Sequence, residues 1–173
     1  MPRRWIVTAL LLLAAAGCSR NGAQVSDAQR AAITHEVTQT AMAMKAATER
    51  MDPDLFSTYC VDSPDFLFIS PFGNAYNYDQ SQTMWKGLVT SFRSQTNTLA
   101  KTRVIVLSRD EALFFWQGTV SGTTRDGHVF TTVPYSGTNL FRKVGKSWKV
   151  AYIQESGLPA KKQDAPASVD SAP

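Results

Sequence analysis

The sequence predicts an α+β domain in which helices from the N-terminal side cover one face of a curved antiparallel sheet. Apolar residues first recur at three- and four-residue steps and later alternate with polar residues, so helices precede strands. Short turns such as Asp126-Gly127 and Val144-Gly145 separate the predicted strands, which makes consecutive strands antiparallel neighbours. Helices placed before such a sheet pack on one of its faces, which gives a cone-shaped α+β roll.

Three helices are predicted, each from a cap and an apolar face. Ser26 and Gln29 form a capping box before a long helix. The apolar face of this helix consists of Ile33, Val37, Ala41, Met44, Ala47 and Met51. Asp52 caps a shorter helix with Pro53 in its first turn, and Asp79 caps a third helix. The third helix has an apolar face of Met84, Trp85, Leu88 and Phe92.

Six strands follow from the alternation of apolar and polar residues. A hairpin is predicted first, with its two strands on either side of a Pro-Phe-Gly-Asn turn at 71–74. Four longer strands come after the third helix and are joined by turns at Arg109-Asp110, Asp126-Gly127 and Val144-Gly145. The predicted strands are 66–70, 75–78, 103–107, 112–122, 128–141 and 148–154.

The N-terminal segment resembles a bacterial lipoprotein signal. Arg3 and Arg4 precede a run of twelve mostly apolar residues, which is too short to span a bilayer, and small residues then lead into Cys18. The resemblance implies that residues 1–17 are removed and that Cys18 receives a diacylglycerol. An ordinary cleaved signal, an uncleaved anchor and a twin-arginine signal are the alternatives.

Both ends of the chain outside the folded domain are polar. Residues 18–26 are interpreted as the lipidated cysteine and a tether, and Ser19 after the cysteine is typical of lipoproteins sorted to the outer membrane, facing the periplasm. Residues 27–158 form the domain. Residues 159–173 are rich in Ala, Pro, Ser, Lys and Asp, and we expect a disordered tail there, with partner binding as the alternative.

Composition argues against several classes of function. The formal net charge is +4, and it falls to +2 without Arg3 and Arg4, so no basic stripe for nucleic acid is expected. Apart from Cys18 the chain has only Cys60, so no internal disulfide forms, and Cys60 is interpreted as a small buried apolar residue. His35 and His128 are isolated and expected to be solvated. The sequence predicts no metal site and no cofactor.

The last predicted strand carries the most specific motif, GKSWKVAYIQESG at 145–157. It resembles the closing strand of the nuclear transport factor 2-like (NTF2-like) superfamily, especially its SnoaL-like and calcium/calmodulin-kinase association-domain branches, and the resemblance covers residues 28–157. It implies the cone-shaped fold but no particular activity, because this fold hosts isomerases, dehydratases, hydrolases and oligomerisation modules. It also implies a homodimer through the outer face of the sheet, where Thr119, Leu140, Ala151 and Ile153 are predicted to lie.

Strict alternation predicts a pocket on the concave face of the sheet. Cross-strand pairing places Phe141 opposite Trp148, Asn139 opposite Val150 and Gly137 opposite Tyr152, while the preceding strand adds its own aromatic residues. The predicted ligand-binding residues are Phe114, Trp116, Asn139, Phe141, Trp148, Tyr152 and Gln154. The same aromatic side chains would fill the cone in a packed core, so an open pocket and a filled cone are both possible readings.

The polar groups predicted for this pocket favour binding over catalysis. Family members that do acid–base work often carry His at the positions of Tyr152 and Gln154 and Arg at those of Gly118 and Asn139, and this chain has none of them. Since Asn and Gln cannot titrate, the first hypothesis is a lipoprotein that holds a small, mostly apolar ligand without catalysis.

Two alternative functions remain. One is a ketosteroid isomerase- or dehydratase-like enzyme in which Asp65 is the base and Tyr59 or Tyr76 is the oxyanion donor. Asp65 could equally be a surface turn residue beside Pro64. The other is a dimeric envelope assembly protein that acts through its outer face and its tail.

Overall fold

The computed structural model describes residues 24–157, which form three helices and one six-stranded sheet. Cys18, the signal segment and the tail lie outside the described residues. The helices are α1 (Asp27–Glu49), α2 (Pro53–Thr58) and α3 (Tyr78–Ser91). The strands are β1 (Leu67–Ile69), β2 (Ala75–Tyr76), β3 (Phe92–Val106), β4 (Glu111–Thr124), β5 (Val129–Val144) and β6 (Ser147–Gly157). The predicted α+β fold, with helices from the N-terminal side on a curved sheet, is confirmed.

The caps of the first two helices are those predicted, and the third differs. Ser26 and Gln29 form the capping box of α1, and the Asp52 side chain accepts from Leu55 N at 2.8 Å in α2. The cap of α3 is Asn77 instead of Asp79, because Asn77 and Gln80 exchange two hydrogen bonds and satisfy two free N–H groups at once.

The sheet order is β2-β1-β6-β5-β4-β3, and β3 to β6 form the predicted antiparallel series. Two features differ from the prediction. Strand β3 begins eleven residues earlier, at Phe92, since it is an edge strand with a largely exposed, polar first half that hides the alternation. Strand β1 pairs with β6 in parallel, because two hydrogen bonds hold the preceding segment alongside β6: Val61 N–H donates to Val150 O, and Val150 N–H donates to Tyr59 O.

The narrow end of the cone holds the tightest part of the core. Val37 of α1 packs there with Phe141 and Val150, and all three are fully buried. The indole Nε1 of Trp148 donates to Glu36 Oε2 at 2.7 Å, which connects α1 to the last strand.

None of the helices within residues 24–157 is long and apolar enough to cross a membrane.

A one-residue bulge in β6 decides which side chains enter the cone. Phe141 pairs with Val150 and Leu140 pairs with Tyr152, so Ala151 is the extra residue. A bulge of this kind exchanges the two faces for everything beyond it. Ile153 therefore faces the concave side, and its predicted place on the outer face is wrong.

Candidate functional site

A cavity of about 600 Å³ lies between the concave face of the sheet and the three helices. Its volume is within the range of small-molecule sites. The cone is therefore open, and the alternative of a fully packed interior is wrong. Apolar and aromatic side chains form most of the wall, among them Met44, Phe56, Phe68, Met84, Trp85, Leu88, Leu99, Phe114, Trp116, Val120, Phe130, Tyr135 and Ile153.

The pairing of β4, β5 and β6 orders the wall by depth. The Phe114–Asn139–Ile153 row lies next to the closed end of the cone. The next row toward the mouth is Trp116–Gly137–Glu155, and the row after it is Gly118–Tyr135–Gly157. An acidic side chain thus stands near the middle of a mostly apolar wall.

Glu155 and Tyr135 form the polar centre of the cavity. The Tyr135 hydroxyl donates to Glu155 Oε2 at 2.6 Å. Burial raises the pKa of Glu155 to about 7, although the hydrogen bond from Tyr135 acts in the opposite direction. Burial and the neighbouring Glu155 carboxylate raise the pKa of Tyr135, so its hydroxyl stays protonated and remains a donor.

Two glycines give the aromatic side chains of the wall their positions. Trp116 lies across Gly137, where a Cβ would stand 2.7 Å from the indole Cε2. Tyr135 lies across Gly157 in the same way, with a Cβ 2.6 Å from its Cδ2. The two rings stack with centroids 5.5 Å apart and planes inclined by 22°. The result is a flat aromatic surface beside Glu155.

The predicted ligand-binding residues divide into three groups. Phe114, Trp116 and Asn139 line the cavity, and Asn139 Oδ1 is buried without a hydrogen-bond partner among the described residues. Phe141 and Trp148 point to the concave side but lie in the core at the closed end, beyond the cavity wall.

Tyr152 and Gln154 form the third group, and their predicted place on the concave face is wrong. Both follow the bulge at Ala151 and stand on the outer face, where the Tyr152 hydroxyl donates to Gln154 Oε1 at 2.8 Å. Trp148, by contrast, precedes the bulge and keeps the orientation that alternation predicts.

The candidate acid–base residues from the sequence do not assemble. Asp65 is exposed in the turn before β1, where its backbone N–H donates to Ser63 Oγ at 3.2 Å, and it does not line the cavity. Asp is favoured in such turns for its local hydrogen bonding. Tyr59 caps α2 and packs against the core, and only Tyr76 reaches the cavity wall, stacked on Phe68.

Sequence reasoning missed both members of the polar pair. Tyr135 shares a face with Gly137, Asn139 and Phe141, so alternation along β5 was sufficient to find it. Regular alternation along β6 places Glu155 on the outer face, and the bulge turns it into the cone. The signal for it is the spacing of Val150 and Ile153, two apolar residues three apart that cannot share a face in a regular strand.

This arrangement can transfer a proton near neutral pH. A carboxyl group whose pKa is about 7 is present in both forms there, so it can act as base or acid. Cys60 is different, because burial raises the pKa of its thiol to about 12 and leaves it unreactive. Within residues 24–157, no three His, Cys, Asp or Glu side chains are placed to hold a metal ion together.

Comparison with solved structures shows the same fold in proteins of low sequence identity. An NTF2-like superfamily protein from Salmonella enterica has a TM-score of 0.68 and 19% identity, over 83% of this chain and 99% of that one. A proposed dehydratase of the NTF2-like family from Streptomyces avermitilis has a TM-score of 0.67 and 16% identity, over 75% and 98%. A hexachlorocyclohexane dehydrochlorinase from Novosphingobium barchaimii has a TM-score of 0.67 and 10% identity, over 86% and 99%.

Comparison of the sequence with family models identifies the domain. The comparison with curated proteins gives no match. The model of the SnoaL-like domain matches residues 37–161, which include most of α1, the whole sheet and the closing-strand motif. The chain therefore belongs to the SnoaL-like domain family, and it has the fold of the NTF2-like structures.

Proposed function

We propose that this protein catalyses acid–base chemistry on a small, mostly apolar substrate, with Glu155 as the group that accepts and returns the proton. The observation that carries the proposal is the Glu155 carboxyl in an apolar wall, hydrogen-bonded to Tyr135 and with a pKa of about 7. Groups with such displaced pKa values are concentrated at catalytic sites. Glu155 is a titratable group in the pocket, so the pocket does not lack a residue that can exchange a proton.

An elimination or an isomerisation fits these two residues best. Glu155 would take a proton from a carbon next to an electron-withdrawing group, and the electron pair would form a double bond as a leaving group departs or a carbonyl accepts it. The Tyr135 hydroxyl would stabilise the carboxylate before the transfer. Two of the structural neighbours are named as a dehydrochlorinase and a proposed dehydratase, and both names denote eliminations.

The test uses a chromogenic probe, 5-nitrobenzisoxazole, which is neutral, flat and opened by a base. Removal of its ring C–H proton by a carboxylate breaks the N–O bond and releases a coloured nitrophenolate that bears a nitrile. We expect a saturable rate that rises with pH around a midpoint near 7. Glu155→Gln is expected to lose at least tenfold of this rate, because Gln cannot accept the proton.

The matched control is Asp65→Asn, which removes the carboxylate that the sequence suggested and that the structure leaves on the surface. Its rate is expected to equal that of the unmodified protein. Equal rates for Glu155→Gln and the unmodified protein, or a rate lost with Asp65→Asn alone, would contradict the proposal.

A second candidate function is ligand binding without catalysis. The size of the cavity and its aromatic wall, which includes Phe114 and Trp116, favour it. Native mass spectrometry of residues 19–158 separates the two functions. A retained small molecule that is lost in Trp116→Ala, together with no Glu155-dependent elimination, would support binding alone.

We further propose that the domain is held at the periplasmic face of a membrane, most simply the outer membrane, by a diacylglycerol on Cys18. The support is the basic, apolar and small-residue order of residues 1–17 and the cysteine that follows them. Labelled palmitate should enter the full-length chain, and Cys18→Ala should abolish the labelling and release the protein from the membrane fraction. Labelling that persists in Cys18→Ala would contradict this anchor.

Self-association through the outer face of the sheet is proposed as well. Leu113, Phe115 and Leu140 stand on this face, apart from the buried core, and Ile105 beside them is 41% exposed. Light scattering on residues 19–158 should give the mass of a dimer, and Phe115→Glu should give a monomer. A monomer in the unmodified protein would contradict the proposal.

A further inference from the structure

The charge and shape of the cavity limit the substrates that it can take, and this inference rests on the proposed function. Glu155 stands in the middle of the wall, and its partner is the neutral Tyr135 hydroxyl. Of the residues within 24–157 that line the cavity, only Lys45 and His128 can carry a positive charge. Lys45 is paired with Glu49 at 2.7 Å, and His128 is exposed just before β5, at the mouth.

An anionic ligand would therefore meet a carboxylate, and the described part of the chain places no free cation beside that carboxylate. Above pH 7 Glu155 is ionised, and two like charges in an apolar cavity repel strongly while both lose hydration. A neutral ligand avoids this cost. The wall thus selects against carboxylates and phosphates.

The aromatic surface indicates the shape of the ligand. Trp116 and Tyr135 lie flat along the wall, because Gly137 and Gly157 leave no Cβ beneath them. A flat ring can stack against such a surface, whereas a bulky, branched ligand contacts less of it. The flat surface adjoins Glu155, so a stacked ring places its edge near the carboxylate.

Asn139 supplies a polar group deeper in the cone. It lies one inward position beyond Gly137 on β5, which places it about 7 Å further along the strand than Glu155. Its buried Oδ1 has no hydrogen-bond partner among residues 24–157. A buried acceptor in this state has lost its hydration without gaining a hydrogen bond, which is unfavourable. A ligand hydroxyl that reaches the closed end would satisfy it.

We infer that the substrate is an uncharged compound with a flat ring that stacks beside Glu155 and carries a hydrogen-bond donor that reaches Asn139. The three features come from different residues. Glu155 selects against a charged ligand, the Trp116–Tyr135 surface selects for a flat ring, and Asn139 selects for a hydrogen-bond donor on the ligand.

The test compares three two-ring probes by calorimetry at pH 8: 2-naphthol, naphthalene and 2-naphthoate. We expect 2-naphthol to bind at least tenfold more tightly than 2-naphthoate, and more tightly than naphthalene. In Glu155→Gln the preference for naphthol over naphthoate should shrink about tenfold. Glu111→Gln is the control, since Glu111 pairs with Arg142 outside the cavity, and the preference should be unchanged.

Asn139→Leu tests the donor contact separately. It should remove the advantage of naphthol over naphthalene and leave the naphthalene affinity within about twofold. If Asn139→Leu does not fold, Asn139→Ala gives the same comparison. The inference is overturned if naphthoate binds the unmodified protein as tightly as naphthol, if Glu155→Gln keeps the full preference, or if neither naphthol nor naphthalene binds. Because binding is measured without turnover, these results are independent of the elimination assay.

Discussion

The Tyr135 hydroxyl donates a 2.6 Å hydrogen bond to the carboxylate of Glu155 inside an apolar cavity. The two residues lie on neighbouring strands, and neither would meet the other without the bulge at Ala151. This single pair gives the cavity a group that titrates near neutral pH.

Ionisation of Glu155 should cost stability. The pKa of Glu155 is raised in the folded protein to about 7 from an ordinary 4.5. The stabilisation of the folded state by the protonated carboxyl is therefore fully present below pH 4.5 and is lost as the pH rises through 7. Glu155→Gln should therefore stabilise the protein at pH 8, by about 2–3 kcal/mol relative to its effect at pH 4. Urea unfolding of both proteins at pH 4 and pH 8 measures this. A difference that does not vary with pH would contradict the raised pKa.

Removal of the Tyr135 hydroxyl should make the Glu155 carboxylate bind its proton more tightly. The hydrogen bond from Tyr135 favours the carboxylate, so Tyr135→Phe should raise the pKa of Glu155 further. The elimination rate of 5-nitrobenzisoxazole at pH 7 should then fall about threefold to tenfold, and its pH midpoint should move upward. Tyr152→Phe is the matched control on the outer face. A similar effect of both variants would place the cause outside the cavity.

The flat aromatic wall should depend on the missing Cβ of Gly137. In Gly137→Ala the new methyl group would overlap the indole of Trp116. We therefore expect the free energy of unfolding to fall by about 1–3 kcal/mol and the tryptophan emission to change. Gly87 in α3 has open space around it, and Gly87→Ala should instead stabilise the helix by about 0.5–1 kcal/mol. The two glycine variants are compared by thermal unfolding and by their fluorescence spectra. An unshifted emission in Gly137→Ala would show that the indole does not lie across this glycine.

Trp148 should matter for stability and not for ligand affinity. Its Nε1–H donates to Glu36 and is the main cause of the lowered pKa of that carboxyl, with the nearby Lys143 charge contributing less. Trp148→Phe should cost about 2 kcal/mol at pH 7, because a hydrogen bond to a charged group is lost. The lowered pKa means that this stabilisation is present above pH 4.5 and disappears as the pH falls, so the cost should be smaller at pH 3.

The control for this variant is Trp85→Phe, since Trp85 Nε1 is buried without a partner among the described residues. At pH 7 the Trp85→Phe substitution should lower the free energy of unfolding less than Trp148→Phe does. Chemical unfolding at both pH values and naphthol affinity at pH 8 are the measurements. A Trp148→Phe variant with weakened naphthol binding would mean that the cavity extends further toward the closed end than the structure places it.

The sequence alone determined the order of the elements, the caps of α1 and α2, the turns between the long strands and the resemblance to the SnoaL-like family. These features depend on interactions between residues close in the chain, such as the Ser26 and Gln29 pair and the Asp126-Gly127 turn. The aromatic wall was also predictable as far as Phe114 and Trp116, because β4 is regular through these residues and alternation holds there.

Only the tertiary structure decided which polar groups enter the cone. Side chains alternate between the two faces with a period of two, so one extra residue at Ala151 reverses the faces of the residues after it. Ile153 and Glu155 then face the cone in place of Tyr152 and Gln154. Strand β6 pairs with β5 on one side and with β1 on the other, and β1 is distant from it in sequence, so the pattern within β6 does not reveal the extra residue. The raised pKa of Glu155 has the same origin, since burial by residues from other strands produces it.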